Sequence, residues 1–454
     1  MKGAEKIFAE VALEISPMPA EAKREKEFAL EICRILEKNL KGEGVECAFV
    51  GSAARDTGLK GDNDLDLFVQ FPRDKSEDYI VKKTFEAARK IPGEWVTHYA
   101  EHPYLQAQLG AFKVEVIPCF RMAANGELKS AVDRSPLHMA YLQEKLTPPQ
   151  RRDVRLLKKL LKTAGIYGAE ISIEGFSGLL CEYLILNYRN LETLIESAAK
   201  WKAPVFVDLE GFYIDSTQPE FDAPLVLIDA IDKKRNVAAV LSETNFHKFV
   251  SLCQAFRRRQ SRDFFFRPAT KAPSRNEVAK KLKARGTHFL LLSFGKPELV
   301  EDILVPQLRK TASAITREMR AAGFGVVDYA YYAANNCGVL LELASSQRPS
   351  VELVQGPPVR EEAACVNFSK AHSAALRGPF VKGDRIFVEE RVTERSAKKF
   401  LSGLLKDARA LGVGANLSAP LKGAAVLEDA ELNSVSDDEA AELWKYLSAR
   451  DYWL

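Results

Sequence analysis

GSAARDTGLKGDNDLDLFVQF, residues 51–71, sets a small-residue turn and an arginine about a dozen residues ahead of two aspartates in a strand-like run. DLDLFVQF (64–71) alternates at first, so Asp64 and Asp66 face one way and Leu65 and Leu67 the other. Pro72 ends the run. Two carboxylates side by side on a hydrophobic strand repel each other and lose hydration. A hard divalent cation, which takes oxygen ligands, offsets both costs. A two-metal site also needs a third carboxylate from a neighbouring strand. Glu115 in KVEVIP is the candidate, because it stands mid-strand among apolar residues. The Gly51-Ser52 turn follows a strand, VECAFV (45–50), and precedes Arg55. It offers backbone N–H groups, a hydroxyl and a guanidinium to a phosphate chain. A lone D-x-D suits a solvated sheet edge. Joined to this turn and a third strand carboxylate, it points to nucleotide and metal.

At 454 residues the chain exceeds one core and predicts several domains. An apolar fraction of 46% with 28% charged residues fits a soluble globular protein. The net charge of only +3 leaves any nucleic-acid surface to local clustering. Seven cysteines, scattered and without a C-x-x-C pair, argue against a disulfide framework or a zinc site and fit a reducing compartment. The charged N-terminal stretch carries no apolar signal segment, and no apolar run approaches a membrane span, so a cytoplasmic protein is expected.

Helical spacing runs over residues 20–40 and about 77–90, with further strand candidates at 95–100 and 112–120. From about 141 to 200 the pattern turns helical, and it does so again over 242–259 after a loop carrying DKKRN (232–236). The basic, phenylalanine-bearing segment 257–275 suggests a boundary near 267. Strands (287–294, 338–345, 385–392) and helices (304–323, 396–412) mix beyond it, an α+β reading.

G-S-x-x-R…D-x-D with a third strand carboxylate resembles the nucleotidyltransferase superfamily shared with DNA polymerase β. AEHPY (100–104), VEVIPCF (114–120), SAVDRSPLH (130–138), RLLKKLLKTAGIYGAE (155–170), GFSGLLCEYLI (175–185) and DKKRNVAAVLS (232–242) narrow the likeness to the archaeal, class I CCA-adding enzymes. QGPPVR (355–360) and GPFVKGDRIFVEER (378–391) extend it toward the end of the chain. The resemblance implies an α+β multidomain protein: a polymerase β-like palm or head over 1–140, a helical central neck over 141–266, and an α+β C-terminal body and tail over 267–454. It implies template-independent addition of C, C and A to the 3′ end of tRNA from CTP and ATP, releasing pyrophosphate. Two Mg²⁺ ions would be held by Asp64, Asp66 and Glu115, where the family usually has aspartate at the third position. Ser52, Arg55, Ser135 (for a usual threonine), His138, Lys158 and Tyr167 would contact the triphosphate, and Arg235 would read the base. The C-terminal part would grip the acceptor stem and TΨC arm by backbone and shape, and the family suggests a homodimer.

Plainer readings stand beside these. His138 also suits a capping or core histidine, His102 a packing role against Pro103 and Tyr104, and Arg235 an ion pair with Asp232. Lys158 lies on an amphipathic helix, where lysines are commonly only solvated. The RRRQSR run (257–262) reads as tRNA-binding or as a solvated face, and Phe264–Phe266 as junction filling rather than base stacking. Two other functions compete: another RNA-terminal nucleotidyltransferase, and an RNA-binding protein derived from the enzyme with weakened catalysis. Glu115 is the feature that points to the latter.

Overall fold

A computed structural model describes residues 3–99, 103–121, 129–215, 217–267 and 273–454. His102 lies outside the described residues. The chain divides into two compact units, one of Met1–Ala269 with Asp451–Leu454 and one of Thr270–Arg450. Both mix helices and strands, the α+β class expected.

The first unit opens with helices α1 (Ala4–Ile15) and α2 (Pro19–Asn39). Strand β1 (Glu46–Val50) then turns directly into the short helix α3 (Gly51–Ala54). β2 (Asp64–Phe71), α4 (Glu77–Ala88), β3 (Val96–Tyr99), β4 (Pro103–Leu109) and β5 (Phe112–Phe120) complete a five-stranded sheet of order β1-β2-β5-β4-β3. β2 and β5 run parallel at its centre, and their neighbours run antiparallel. The alternation in β2 has its expected consequence. Leu65, Leu67, Val69 and Phe71 are fully buried with Val114 and Val116 under α2 and α4, which leaves the aspartates on the opposite face. β4 was not foreseen from the sequence, although its alternating PYLQAQL is paired to both β3 and β5.

Helices α5 (Arg134–Lys145), α6 (Pro148–Ala164), α7 (Gly178–Tyr188), α8 (Leu191–Ala198) and α9 (Glu243–Arg258) follow, with a short parallel pair, β6 (Val205–Asp208) and β7 (Leu225–Ile228), between α8 and α9. α6 begins on Pro148 and ends at Gly165, whose φ of 71° admits the left-handed cap. Its Leu156, Leu157, Leu160 and Leu161 are buried against α7 residues in one core. Phe264 and Phe265 are fully buried in that core, which removes them from any stacking on bases. Tyr452 and Trp453 join it too: the Tyr452 hydroxyl donates to the Phe264 carbonyl (2.8 Å) and the Trp453 indole to Ser251 Oγ (3.2 Å).

The second unit holds an antiparallel four-stranded sheet (Ala425–Glu428, His288–Gly295, Asn336–Leu343, Val326–Ala333 in spatial order) packed on the helix Glu301–Ala321. A three-stranded sheet is formed by Val351–Pro358, Arg385–Arg391 and Arg377–Lys382. Among the described residues no helix is long and apolar enough to cross a membrane.

One expectation is corrected here. Cys33 of α2 and Cys47 of β1 form a disulfide, with Cα atoms 5.2 Å apart. α2 packs on β1, which brings together residues 14 apart in sequence that show no motif spacing. The other five cysteines are free.

Candidate active site

The site is built on one row across the sheet. Val50, Asp66, Glu115 and Gln106 are successive partners on β1, β2, β5 and β4. The parallel register thus brings the second aspartate of D-x-D beside the third carboxylate. Gly51 makes room at the β1–α3 turn. Its φ is 82°, and a Cβ there would lie 2.0 Å from Asp66 Oδ2. Only glycine accepts both that backbone and that approach.

The carboxylates are crowded but not free. Lys113 Nζ lies 3.3 Å from Asp64 Oδ1 and 3.2 Å from Glu115 Oε1, and the Gln106 amide donates to the same Glu115 oxygen at 3.2 Å. Burial, then the Glu115 and Asp64 charges, push the Asp66 carboxyl up to about 7 despite Arg55 and Lys113. Lys113 is raised because Glu115 and Asp64 outweigh its partial desolvation.

Beside this row a cavity of about 340 Å³ is lined by Gly51, Arg55, Asp66, Tyr104, Glu115, Ser135 and His138, among others. The structure therefore brings five of the ten expected site residues to one wall-to-wall space: Arg55, Asp66, Glu115, Ser135 and His138. Asp64 stands one pleat away, at the exposed start of β2. Ser52 lines a separate small crevice with Asp62 and Asp64.

Lys158, Tyr167 and Arg235 are not among the residues that line this cavity. Lys158 is 1% exposed, and its ammonium donates to the Thr57 carbonyl at 3.0 Å. Burial lowers its pKa in spite of the Glu182 charge. Glu182, fully buried on α7, accepts from Arg55 Nε at 2.9 Å and from the Thr57 hydroxyl at 2.5 Å. Burial would raise this carboxyl, but Arg55, Lys158 and the two donors win and hold it below the usual range. Tyr167 Oη and Lys158 Nζ meet at Gly178, where an added Cβ would be 3.3 Å and 3.7 Å from them.

Asp229, just after β7, is a second hub and is fully buried. It accepts from His138 Nε2 (2.8 and 3.0 Å), the Tyr183 hydroxyl (3.1 Å), the Ile231 amide (3.0 Å) and Arg235 Nη1 (2.8 Å). Burial alone would raise it, but His138, the Ile231 amide and Arg235 hold it well below the usual carboxylate range. The ion pair weighed for Arg235 forms with Asp229, not Asp232. Asp232 instead takes Arg134, at 3.2 Å. Of the basic run 257–262, Arg257 pairs with Glu196 and Arg262 with Glu14.

Reading of the sequence missed Glu182, Asp229, Lys113 and Gln106. The first two had a signal, since each is an acid at or inside an apolar run, LLCEYLI and LVLID. Lys113 and Gln106 carried none beyond lying on strands.

The donor chemistry suits a divalent cation. Three carboxylates occupy adjacent positions on one sheet face, where the charges of Glu115 and Asp64 add to the burial that lifts Asp66. Among the described residues, however, no three acidic, histidine or cysteine side chains are gathered about a single point. The Lys113 ammonium stands between two of the three carboxylates.

A parallel strand pair carrying such carboxylates beside a cavity with arginine, serine and histidine defines a nucleotidyltransferase. Comparison bears this out: a nucleotidyltransferase domain model matches residues 30–138. Models for the second domain of tRNA nucleotidyltransferase and for the C-terminal domain of the CCA-adding enzyme match 152–266 and 285–429. The CCA-adding enzyme of Methanothermobacter thermautotrophicus is 32% identical over 423 residues, 91% of each chain. That of Halobacterium salinarum is 35% identical over 396 residues, 86% of each. A solved structure of the Cid1 poly(U) polymerase is similar at 17% identity and a TM-score of 0.47, over 57% of this chain and 94% of that one. The chain belongs to the family of CCA-adding enzymes, as its motifs led us to expect. Nucleotidyltransferases of this kind generally use divalent metal ions.

Proposed function

We propose that this chain adds C, C and A in turn to the 3′ end of tRNA from CTP and ATP, without a template, in the cavity beside β2 and β5. The observation that carries the reading is the alignment of Asp66 with Glu115 on parallel strands, facing a cavity bounded by Arg55, Ser135 and His138. Asp64, Asp66 and Glu115 would hold two Mg²⁺ ions, which when bound supply Lewis acidity to the attacking hydroxyl and charge for the leaving pyrophosphate.

The protein's part is position and neutralisation. Arg55 presents its guanidinium to the triphosphate, its Nε already fixed by Glu182. Ser52 and Ser135 supply hydroxyls, and His138 its imidazole, whose Nε2 side is held by Asp229. Lys158 and Tyr167 act without lining the cavity: a buried ammonium adds positive potential without touching solvent. Arg235 spends Nη1 on Asp229, which leaves the rest of its fork to read the edge that C and A share, an amino group beside a ring-nitrogen acceptor. The division into head (1–140), neck (141–266) and body with tail (267–454) is part of the same proposal, except that Asp451–Leu454 belong to the first compact unit. So are contacts of the C-terminal part with the acceptor stem and TΨC arm, a homodimer, and a cytoplasmic setting.

The test is extension of tRNA transcripts ending before C74, after C74 and after C75, with Mg²⁺ and one nucleotide at a time. Addition of C, C and then A, with no G, U or long tails, is the expected result. Retained tRNA binding with no addition would overturn it in favour of an RNA-binding descendant, the reading that Glu115 alone favours. Long homopolymer tails would favour another RNA-terminal nucleotidyltransferase.

A further inference from the structure

We infer that Lys113 is a built-in counter-ion of the carboxylate cluster that competes with a divalent cation for Asp64 and Glu115. This rests on the proposed metal role of Asp64, Asp66 and Glu115. Lys113 sits two residues before Glu115 on β5, so both side chains rise from the same sheet face, and its Cα is the register partner of Asp64. The ammonium thereby reaches two carboxylates on adjacent strands at once, 3.3 Å from Asp64 Oδ1 and 3.2 Å from Glu115 Oε1.

Gln106 holds the same Glu115 oxygen from β4. With Lys113 on one side and Gln106 on the other, that oxygen is fully engaged. This accounts for three adjacent carboxylates that nevertheless do not share a common point. A cation held by Asp64 and Glu115 together competes with the ammonium for those oxygens, because two positive charges gathered on them at contact distance repel each other. The exchange is mechanically easy. The Lys113 side chain is 43% exposed on a flexible four-carbon stem, so it can swing into water without disturbing the core.

Two consequences follow, and they have opposite signs. Lys113 steadies the metal-free cluster by neutralising its repulsion, and it weakens metal affinity by competing for the same oxygens. A merely solvating lysine would do neither. A lysine that helped to hold the ion would strengthen affinity.

The experiment is titration of the full chain with Mn²⁺ alone, free ion being followed by electron paramagnetic resonance, alongside thermal unfolding with and without Mn²⁺. K113M is expected to bind Mn²⁺ at least five-fold more tightly than wild type. Its metal-free form should melt lower, and the gain in melting temperature on adding Mn²⁺ should be larger. K113R should stay close to wild type on all three readouts, and K113Q repeats the test if K113M does not fold. Equal or weaker Mn²⁺ binding by a folded K113M or K113Q, where wild type binds, overturns the role of Lys113 and leaves the metal site standing. Absence of binding by wild type and variants alike overturns the metal site itself, and this inference with it.

Discussion

Asp229→Asn isolates the charge of the buried hub while keeping its shape. In the wild-type protein Oδ1 receives His138, Tyr183 and the Ile231 amide, and Oδ2 receives Arg235 and a second approach from His138. An asparagine has one acceptor oxygen. Set toward Tyr183 and Ile231, it turns its NH₂ against the Arg235 guanidinium, donor to donor. Flipped, it turns the same group against the Tyr183 hydroxyl and the Ile231 amide. Either orientation leaves at least one donor facing a donor.

Hydrogen bonds to a charged acceptor contribute about 1.5–3 kcal/mol each. Arg235 keeps a third of its surface in water and can recover part of its loss, so the expected destabilisation is about 2–4 kcal/mol. Because the chain has two units, the measurement should be local. Hydrogen exchange at the Ile231 amide, which donates to Asp229 itself, reads the hub directly. The depressed carboxyl fixes the sign with pH. Its stabilisation is fully present above the ordinary aspartate pKa and is lost as pH falls through the lower folded value, so the gap between wild type and D229N narrows in acid. A second readout is discrimination: if Asp229 aims Arg235, D229N should incorporate UTP or GTP more readily relative to CTP. Unchanged Ile231 protection together with unchanged nucleotide discrimination would refute this role for Asp229.

Two other perturbations test the carboxylate row. Asp66 is shifted the other way, up to about 7, so its proton binds more tightly to the folded protein. Metal-free wild type should therefore lose stability as pH rises from about 4 to about 7. D66N should gain on it over that window by roughly 1–2 kcal/mol, well under the full value of the shift because the carboxyl is only half-buried; urea unfolding at pH 5 and pH 8 measures the difference, and a gap that widens in acid contradicts it. Gly51→Ala puts a Cβ 2.0 Å from Asp66 Oδ2 at a φ of 82°. About 1–3 kcal/mol of strain and a displaced Asp66 should follow, seen as a lower melting temperature and at least a ten-fold slower CTP incorporation.

The centre of the sheet was open to reading because local physics decides it. Strict alternation and Pro72 marked β2, and an acid amid valines marked Glu115, so the carboxylate row was legible before any register was known. The pairing of charges was not. Arg55 and Glu182 are 127 residues apart and His138 and Asp229 are 91 apart, and no spacing rule connects such distances. For the same reason the helical pattern alone did not set Lys158 apart from its solvated neighbours, and only the family resemblance did, whereas in the fold it is buried and donates to the Thr57 carbonyl. Arg235 was marked as a loop guanidinium, but its partner was sought three residues away and lay six away, just past the end of a strand that the sequence had not marked off.

The return of Asp451–Leu454 to the first unit changes what kind of object the second unit is. It is an insertion with two attachment points rather than an appendage on one linker. Tyr452 and Trp453 make the second attachment by entering the core beside Phe264. A truncation near residue 267, which looks like a clean cut between modules, would therefore also pull an indole and a phenol out of the part it was meant to preserve. A shortened chain that joins the two attachment points with a brief loop, deleting only what lies between them, respects the way this protein is tied.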